Sequence, residues 1–136
     1  MAQKPIDVFV SHSAIDRGLA SLVTSALTAA GMSAWSVADI SAGSNWQDAM
    51  REAMLRAEFI VVLLTRNSLA SRHAAFEVGM AMGASKPIFV LYDGLSANEL
   101  PGYVHQHHVA DVSQLPLIID EIKSLQTMPE TLAATR

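Results

Sequence analysis

The chain has 136 residues, 51 % of them hydrophobic and 16 % charged, so it can bury a core and is not a disordered segment. It holds no cysteine, which excludes disulfides, thiolate metal sites and cysteine nucleophiles together. The net charge of −4, with no basic stripe, argues against direct binding of duplex nucleic acid. The opening MAQKPIDVFVSHS lacks the apolar core and cleavage site of a signal peptide. The longest apolar run, Phe59 to Leu64, is far too short to span a bilayer. A cytoplasmic location without membrane contact is the resulting expectation.

Strand and helix patterns alternate from end to end. Ile6 to Val10 reads as a first strand, stopped by the polar turn Ser11-His12-Ser13. Ile15, Leu19, Leu22, Val23, Ala26, Leu27 and Ala30 then recur with the period of an amphipathic helix, and Gly31 stands where a left-handed cap is usual. Ser33 to Val37 is the second predicted strand, followed by the small-residue loop Ala38 to Ser44. Ser44 and Gln47 have the spacing of a capping box opening a second helix, with Trp46, Ala49, Met50, Ala53, Met54 and Ala57 on one stripe. Phe59 to Leu64 is apolar at every position, as expected of a central parallel strand covered on both faces.

Residues 65–71 read as a loop, with Ser71 placed to cap the next helix. In that helix Phe76, Gly79, Met80 and Gly83 fall at i, i+3, i+4 and i+7, the spacing of a face packed on a sheet, and Glu77 lies beside them. Pro87 to Tyr92 is the fourth predicted strand, 93–107 is irregular, and Val109 to Val112 is a short fifth strand. Leu115, Ile118, Ile119, Ile122 and Leu125 mark the last helix. Residues 1–126 then form one domain and 127–136 a loose tail.

This order implies an α/β, flavodoxin-like, three-layer sandwich: a five-stranded parallel sheet ordered 2-1-3-4-5 with helices on both faces. In such sheets a ligand sits beyond the carboxyl ends of the strands, at the switch point beside strand one. The candidates there are Ser11-His12-Ser13, the loops 38–46 and 65–73 with Glu77, and the loop after Tyr92. A phosphorylation receiver needs acidic residues after strand one and an aspartate after strand three, where this chain has Ser-His-Ser and Thr65. Ser11 to Gly18 fits a flavin phosphate loop poorly, and neither a P-loop nor G-x-G-x-x-G is present. His105, His107 and His108 suggest a metal by their spacing, but no pattern of carboxylates completes a ligand set, so no metal is expected.

Phe9-Val-Ser-His-Ser13 with Asp16, then Trp35, Ala42-Gly-Ser-Asn-Trp46, Ser71 with Glu77, and Lys86-Pro87 resemble, in order and spacing, a TIR (Toll/interleukin-1 receptor) domain of the bacterial type. The resemblance runs over residues 6 to about 125. Each element alone is short; the ordered set is what is specific. Catalytic TIR domains cleave NAD⁺ between nicotinamide and ribose with a glutamate at the position filled here by Glu77. The resemblance thus implies an NAD⁺ glycohydrolase or ADP-ribosyl cyclase, with NAD⁺ as substrate and no cofactor. It also implies a pocket bordered by loop 38–46, with Asp39 and Trp46 as candidate substrate contacts, and self-association through that loop. A free-standing domain of this kind suggests a signal generator in bacterial antiviral defence, with a separate effector sensing the product.

One departure stands out. Many active members carry tryptophan four residues before the glutamate, and this chain has His73, which can still stack or hydrogen-bond but is smaller and titratable. Other positions keep two readings. Ser11 and Ser13 can meet substrate phosphate or ribose, or cap their turn. His12 reads as a structural turn residue more readily than as a base, Asp16 as a cap or brace of helix one, and Trp35 as core or loop anchor. Trp46 is core by helical spacing and pocket wall by position. Two rival functions remain: a non-catalytic TIR–TIR interaction module and, ranked lowest, a nucleoside deoxyribosyltransferase-like enzyme.

Overall fold

The computed structural model describes residues 6–39, 45–70 and 72–127, excepting the side chains of residues 39, 46, 72–75 and 77. Five parallel strands, β1 (Ile6–Ser11), β2 (Ala34–Ser36), β3 (Ala57–Leu64), β4 (Ile88–Tyr92) and β5 (His108–Asp111), form one sheet in the order β2-β1-β3-β4-β5. The helices are α1 (Arg17–Ala29), α2 (Trp46–Arg56), the short α3 (Arg66–Leu69), α4 (Arg72–Gly83) and α5 (Leu115–Gln126). Fold class and strand order are those the sequence implies.

β3 shows why the sheet holds. Phe59, Val61 and Leu63 pack with Ala20, Val23 and Leu27 of α1 and with Leu115, Ile118, Ile119 and Ile122 of α5. Ile60, Val62 and Leu64 pack on the other side with Met50, Ala53 and Met54 of α2 and with Val78 and Ala81 of α4. Side chains alternate across a strand, so the doubly covered stretch Phe59 to Leu64 has no position left for a polar residue, and the one charged residue of β3, Glu58, is exposed at its start. β2, at one edge, needs no such run and is shorter than expected, three residues rather than Ser33 to Val37.

α1 ends as Gly31 predicts. The Gly31 N–H donates to the Thr28 carbonyl at 2.9 Å and the Met32 N–H to the Leu27 carbonyl at 3.1 Å, the paired bonds of a Schellman cap. Gly31 has φ +92°, and Met32 and Leu27 close the cap inside one apolar cluster. Two members of the expected α1 stripe are exposed. Ile15 lies in the 3₁₀ turn Ala14–Asp16 before the helix, where the 3.6-residue projection does not hold. Leu22 lies one residue before Val23, about 100° round the helix from the packed face.

Other corrections concern α2 to α4. Asn45 caps α2 by accepting from the Asp48 N–H at 3.3 Å; Ser44, and with it the expected Ser44–Gln47 box, lies outside the described residues, as does Ser71. Ala57, assigned to the α2 stripe, begins β3. Trp35 on the edge strand is 39 % exposed, with the Arg56 guanidinium 5.3 Å above its ring, a cation–π contact rather than a core position. In α4, Val78 and Ala81 are buried and Met80 and Ala84 pack beside them, whereas Phe76, Gly79 and Gly83 are exposed. Glycine brings no side chain to a packed face, so the expected stripe overcounted it.

Replacement of Gly31 by alanine tests the cap. A Cβ there meets nothing within 4 Å, so only backbone strain is added. Gly31→Ala is expected to cost about 1–2 kcal/mol, read as a lower urea midpoint with an unchanged m-value.

Candidate active site

Buried polar side chains collect where β1, β2 and β3 end: Ser11, His12, Asp16, Ser36, Thr65 and Ser68. Apolar strands confine polar groups to these ends, and there each must find a partner. Asp16 supplies three. Its Oδ2 accepts from the Ser13 hydroxyl at 2.5 Å and from the Thr65 hydroxyl at 2.6 Å, and its Oδ1 accepts from the Asn67 amide at 3.1 Å. Thr65 and Asn67 lie 49 and 51 residues further along the chain, so one carboxylate joins the turn after β1 to the turn after β3. Burial pushes the Asp16 carboxyl up, but hydrogen bonds from Ser13, Thr65 and Asn67, with His12 nearby, outweigh it and hold Asp16 below the usual carboxylate range.

Thr65 also organises α3. Its hydroxyl accepts from the Ser68 N–H while its own N–H donates to the Ser68 hydroxyl at 2.7 Å, a closed capping box. On the other side, Arg66 forms a two-pronged pair with Glu99, at 2.9 and 3.2 Å. Glu99 in turn accepts from the backbone N–H and the hydroxyl of Ser96, both at 2.9 Å. These bonds, the Ser96 N–H first, hold the Glu99 carboxyl below its ordinary value. Residues 65–67 therefore connect the loops that follow β1, β3 and β4.

His12 is 3 % exposed, and its Nδ1 lies 2.8 Å from the Ser13 carbonyl, which can only accept. Nδ1 must therefore carry a proton, and in the neutral ring Nε2 is an acceptor. Nε2 is buried and, among the described residues, has no hydrogen-bond partner. Leaving such an atom unsatisfied costs about 1–3 kcal/mol.

The structure brings Ser11, His12 and Ser13 together at the end of β1, with Ser11 and His12 buried and the Ser13 hydroxyl committed to Asp16. Asp16 braces the turn and does not cap α1 with its side chain. Position 77 is the sixth residue of α4, one before Val78 and four before Ala81. The side chains of Glu77, His73, Asp39 and Trp46 lie outside the described residues. Pro87 immediately precedes β4, its carbonyl accepting from the Ile60 N–H at 3.0 Å. Among the described residues no group of three or more His, Asp or Glu could hold a metal ion. His108 pairs with Glu121 at 2.9 Å and stacks on Phe89. Sequence reasoning named the loop 65–73 but missed the bonds of Thr65 and Asn67 to Asp16 and the Arg66–Glu99 pair; the local signals were the capping-box spacings of Thr65 with Ser68 and of Ser96 with Glu99.

The model of a TIR domain family matches residues 8–126, nearly the whole chain. The chain belongs to the TIR domain family. No curated protein matches the sequence. Among solved structures it is similar to the TIR domain of the Toll-related receptor TRR-2 from Hydra magnipapillata, at 15 % identity and TM-score 0.70 over 87 % of this chain and 98 % of that one. It is also similar to a metazoan TIR-STING receptor from C. gigas, at 18 % identity and TM-score 0.74 over 95 % of this chain and 43 % of that one. The sugar isomerase domain of an RpiR transcription factor from Sphaerobacter thermophilus superposes too, at 13 % identity and TM-score 0.60 over 87 % of this chain and 70 % of that one. Likeness at these identities shows the fold, which reaches beyond TIR domains; the family rests on the sequence model. Among the described residues no helix is long and apolar enough to cross a membrane.

The lowered value of Asp16 sets the direction of its pH effect. A carboxylate depressed by folding stabilises the native state above its unfolded value, here 3.8, and that contribution is lost as pH falls through the lower folded value. Urea unfolding of wild type and Asp16→Asn from pH 6 down to pH 2 is expected to show a shallower acid limb in the variant. Parallel limbs would remove Asp16 from the acid transition.

Proposed function

We propose that this chain is an NAD⁺ nucleosidase in which Glu77 is the catalytic carboxylate. One observation carries the reading: in a TIR chain whose β1 and β3 end in a buried polar network, the helix that follows bears a glutamate at position 77. The bond broken joins the ribose C1′ to the pyridinium nitrogen of nicotinamide. Its electron pair goes to that nitrogen, so nicotinamide leaves neutral and no general acid is needed. The ribose passes through an oxocarbenium-like state, which a nearby carboxylate stabilises. Water at C1′ then gives ADP-ribose and a proton, whereas attack by an adenine nitrogen gives a cyclic product. Which of the two arrives first depends on how the site closes over the sugar.

On this reading Ser11, His12, Ser13, Asp39, Trp46 and His73 border the substrate, and NAD⁺ is consumed rather than held as a cofactor. On the same reading a separate effector senses the product, in antiviral signalling in the cytoplasm. Self-association through loop 38–46 would complete the pocket and make activity depend steeply on protein concentration. A second reading, the non-catalytic interaction module, is favoured by His73 in the place where many active members have tryptophan.

Concentrated protein incubated with NAD⁺, with and without a crowding agent, and resolved by chromatography tests the reading. Release of nicotinamide is expected from wild type and not from folded Glu77→Ala; turnover retained in that variant would remove Glu77 from the mechanism. His73→Trp is expected to match or exceed wild-type cleavage. A folded but inactive His73→Trp would mean that the pocket is built around the imidazole.

A further inference from the structure

We propose that Asp16 is a positioning residue for the reaction, acting through the turn that leads into α4. The inference rests on the reading of Glu77 as the catalytic carboxylate. Asp16 touches neither position 77 nor α4 in any bond described above; what it holds is Thr65 and Asn67, on either side of Arg66, where α3 begins. α3 packs against α4, and Leu69 packs against the α2–α4 side of the core. Position 77 is ten residues beyond Asn67, and the chain between them is α3, a short connection and the first half of α4.

The clamp is more than a brace of its own loop. Ser13 would suffice to hold the Asp16 turn, being three residues away, yet the carboxylate is shared with two donors on the far side of the β1–β3 boundary. Thr65 is at once a donor to Asp16 and the cap of α3, so the start of α3 is fixed relative to β1 by the same hydroxyl that starts its helix. Arg66, between the two donors, is drawn the opposite way to Glu99 after β4. The turn is thus held from both neighbouring loops, and the β1 side, unlike the Arg66–Glu99 side, is mostly buried. Displacement of a reacting group by about 1 Å can cost about a hundredfold in rate.

The substitutions separate position from charge. Asp16→Ala removes all three bonds. Asp16→Asn can keep them: its amide oxygen accepts from Ser13 and Thr65, and its amide N–H donates to Asn67 once the Asn67 amide turns over. Positioning therefore predicts that Asp16→Ala lowers kcat about a hundredfold with KM little changed, while Asp16→Asn recovers most of that loss. Equal loss in both variants would mean that the negative charge itself matters and would overturn the inference. Asn67 is exposed, so Asn67→Ala should fold even where Asp16→Ala does not, and it is expected to lower kcat about tenfold. Hydrogen–deuterium exchange of residues 66–77 gives a readout independent of turnover. Faster exchange there in Asp16→Ala or Asn67→Ala, with β3 and β4 unchanged, is expected; wild-type exchange would overturn the inference. Absence of NAD⁺ cleavage in wild type, or cleavage by Glu77→Ala, removes the underlying reading and this inference with it. An inactive Glu77→Ala beside an unimpaired Asp16→Ala and Asn67→Ala removes this inference alone.

Discussion

Burial of β3 on both faces governs everything else in this chain. From Phe59 to Leu64 the strand is enclosed between α1 and α5 on one side and α2 and α4 on the other and must be apolar, and its neighbours β1 and β4 are nearly so. Polar chemistry is then excluded from the interior of the sheet and appears where the strands stop. At the carboxyl ends the backbone turns away, hydrogen-bonding groups lose their ladder partners, and side chains such as Ser13, Thr65 and Asn67 can meet across loops. The packing of the middle and the polarity of the edge are two results of one constraint.

At that edge the Asp16 carboxylate shows how an ionised group tolerates enclosure. Desolvation works against its charge, and three donors on two loops more than compensate. His12 presents the contrasting case. Its Nδ1 is satisfied by a carbonyl, and among the described residues its Nε2 has no partner, so the fold satisfies only half of the ring. A buried nitrogen without a partner is the kind of defect that stable cores avoid, and among the described residues His107 Nε2, before β5 at the opposite end of the sheet, shares it.

Much of the architecture was legible because it is written in local periodicity. β3 announced itself by six consecutive apolar residues, α5 by Leu115, Ile118, Ile119 and Ile122, and the end of α1 by Gly31. Where the reading failed, the physical reason is specific. Counting glycine as apolar turned the α4 stripe towards Phe76, although Val78 and Ala81 are the side chains with surface to bury. α3 is too short for any period, and only its cap leaves a trace in sequence. The Asp16 clamp was beyond reach because its donors are 49 and 51 residues distant, and no pattern within a window joins them. Periodicity placed Glu77 on a helix after β3, where α4 lies, whereas its catalytic role came only from the ordered set of short motifs.

The two attachments of residues 65–67 differ in how they meet the solvent. The Asp16–Thr65 bond is enclosed, whereas Arg66 is largely exposed and its partner Glu99 partly so. At 0.15 M salt the screening length is about 8 Å, and exposed charges feel it while enclosed hydrogen bonds scarcely do. Ionic strength therefore acts on this edge unequally: it loosens the tether to the loop after β4 and leaves the tether to β1 in place. The molecule carries, beside its candidate site, one anchorage that answers to the composition of the surrounding solution and one that does not.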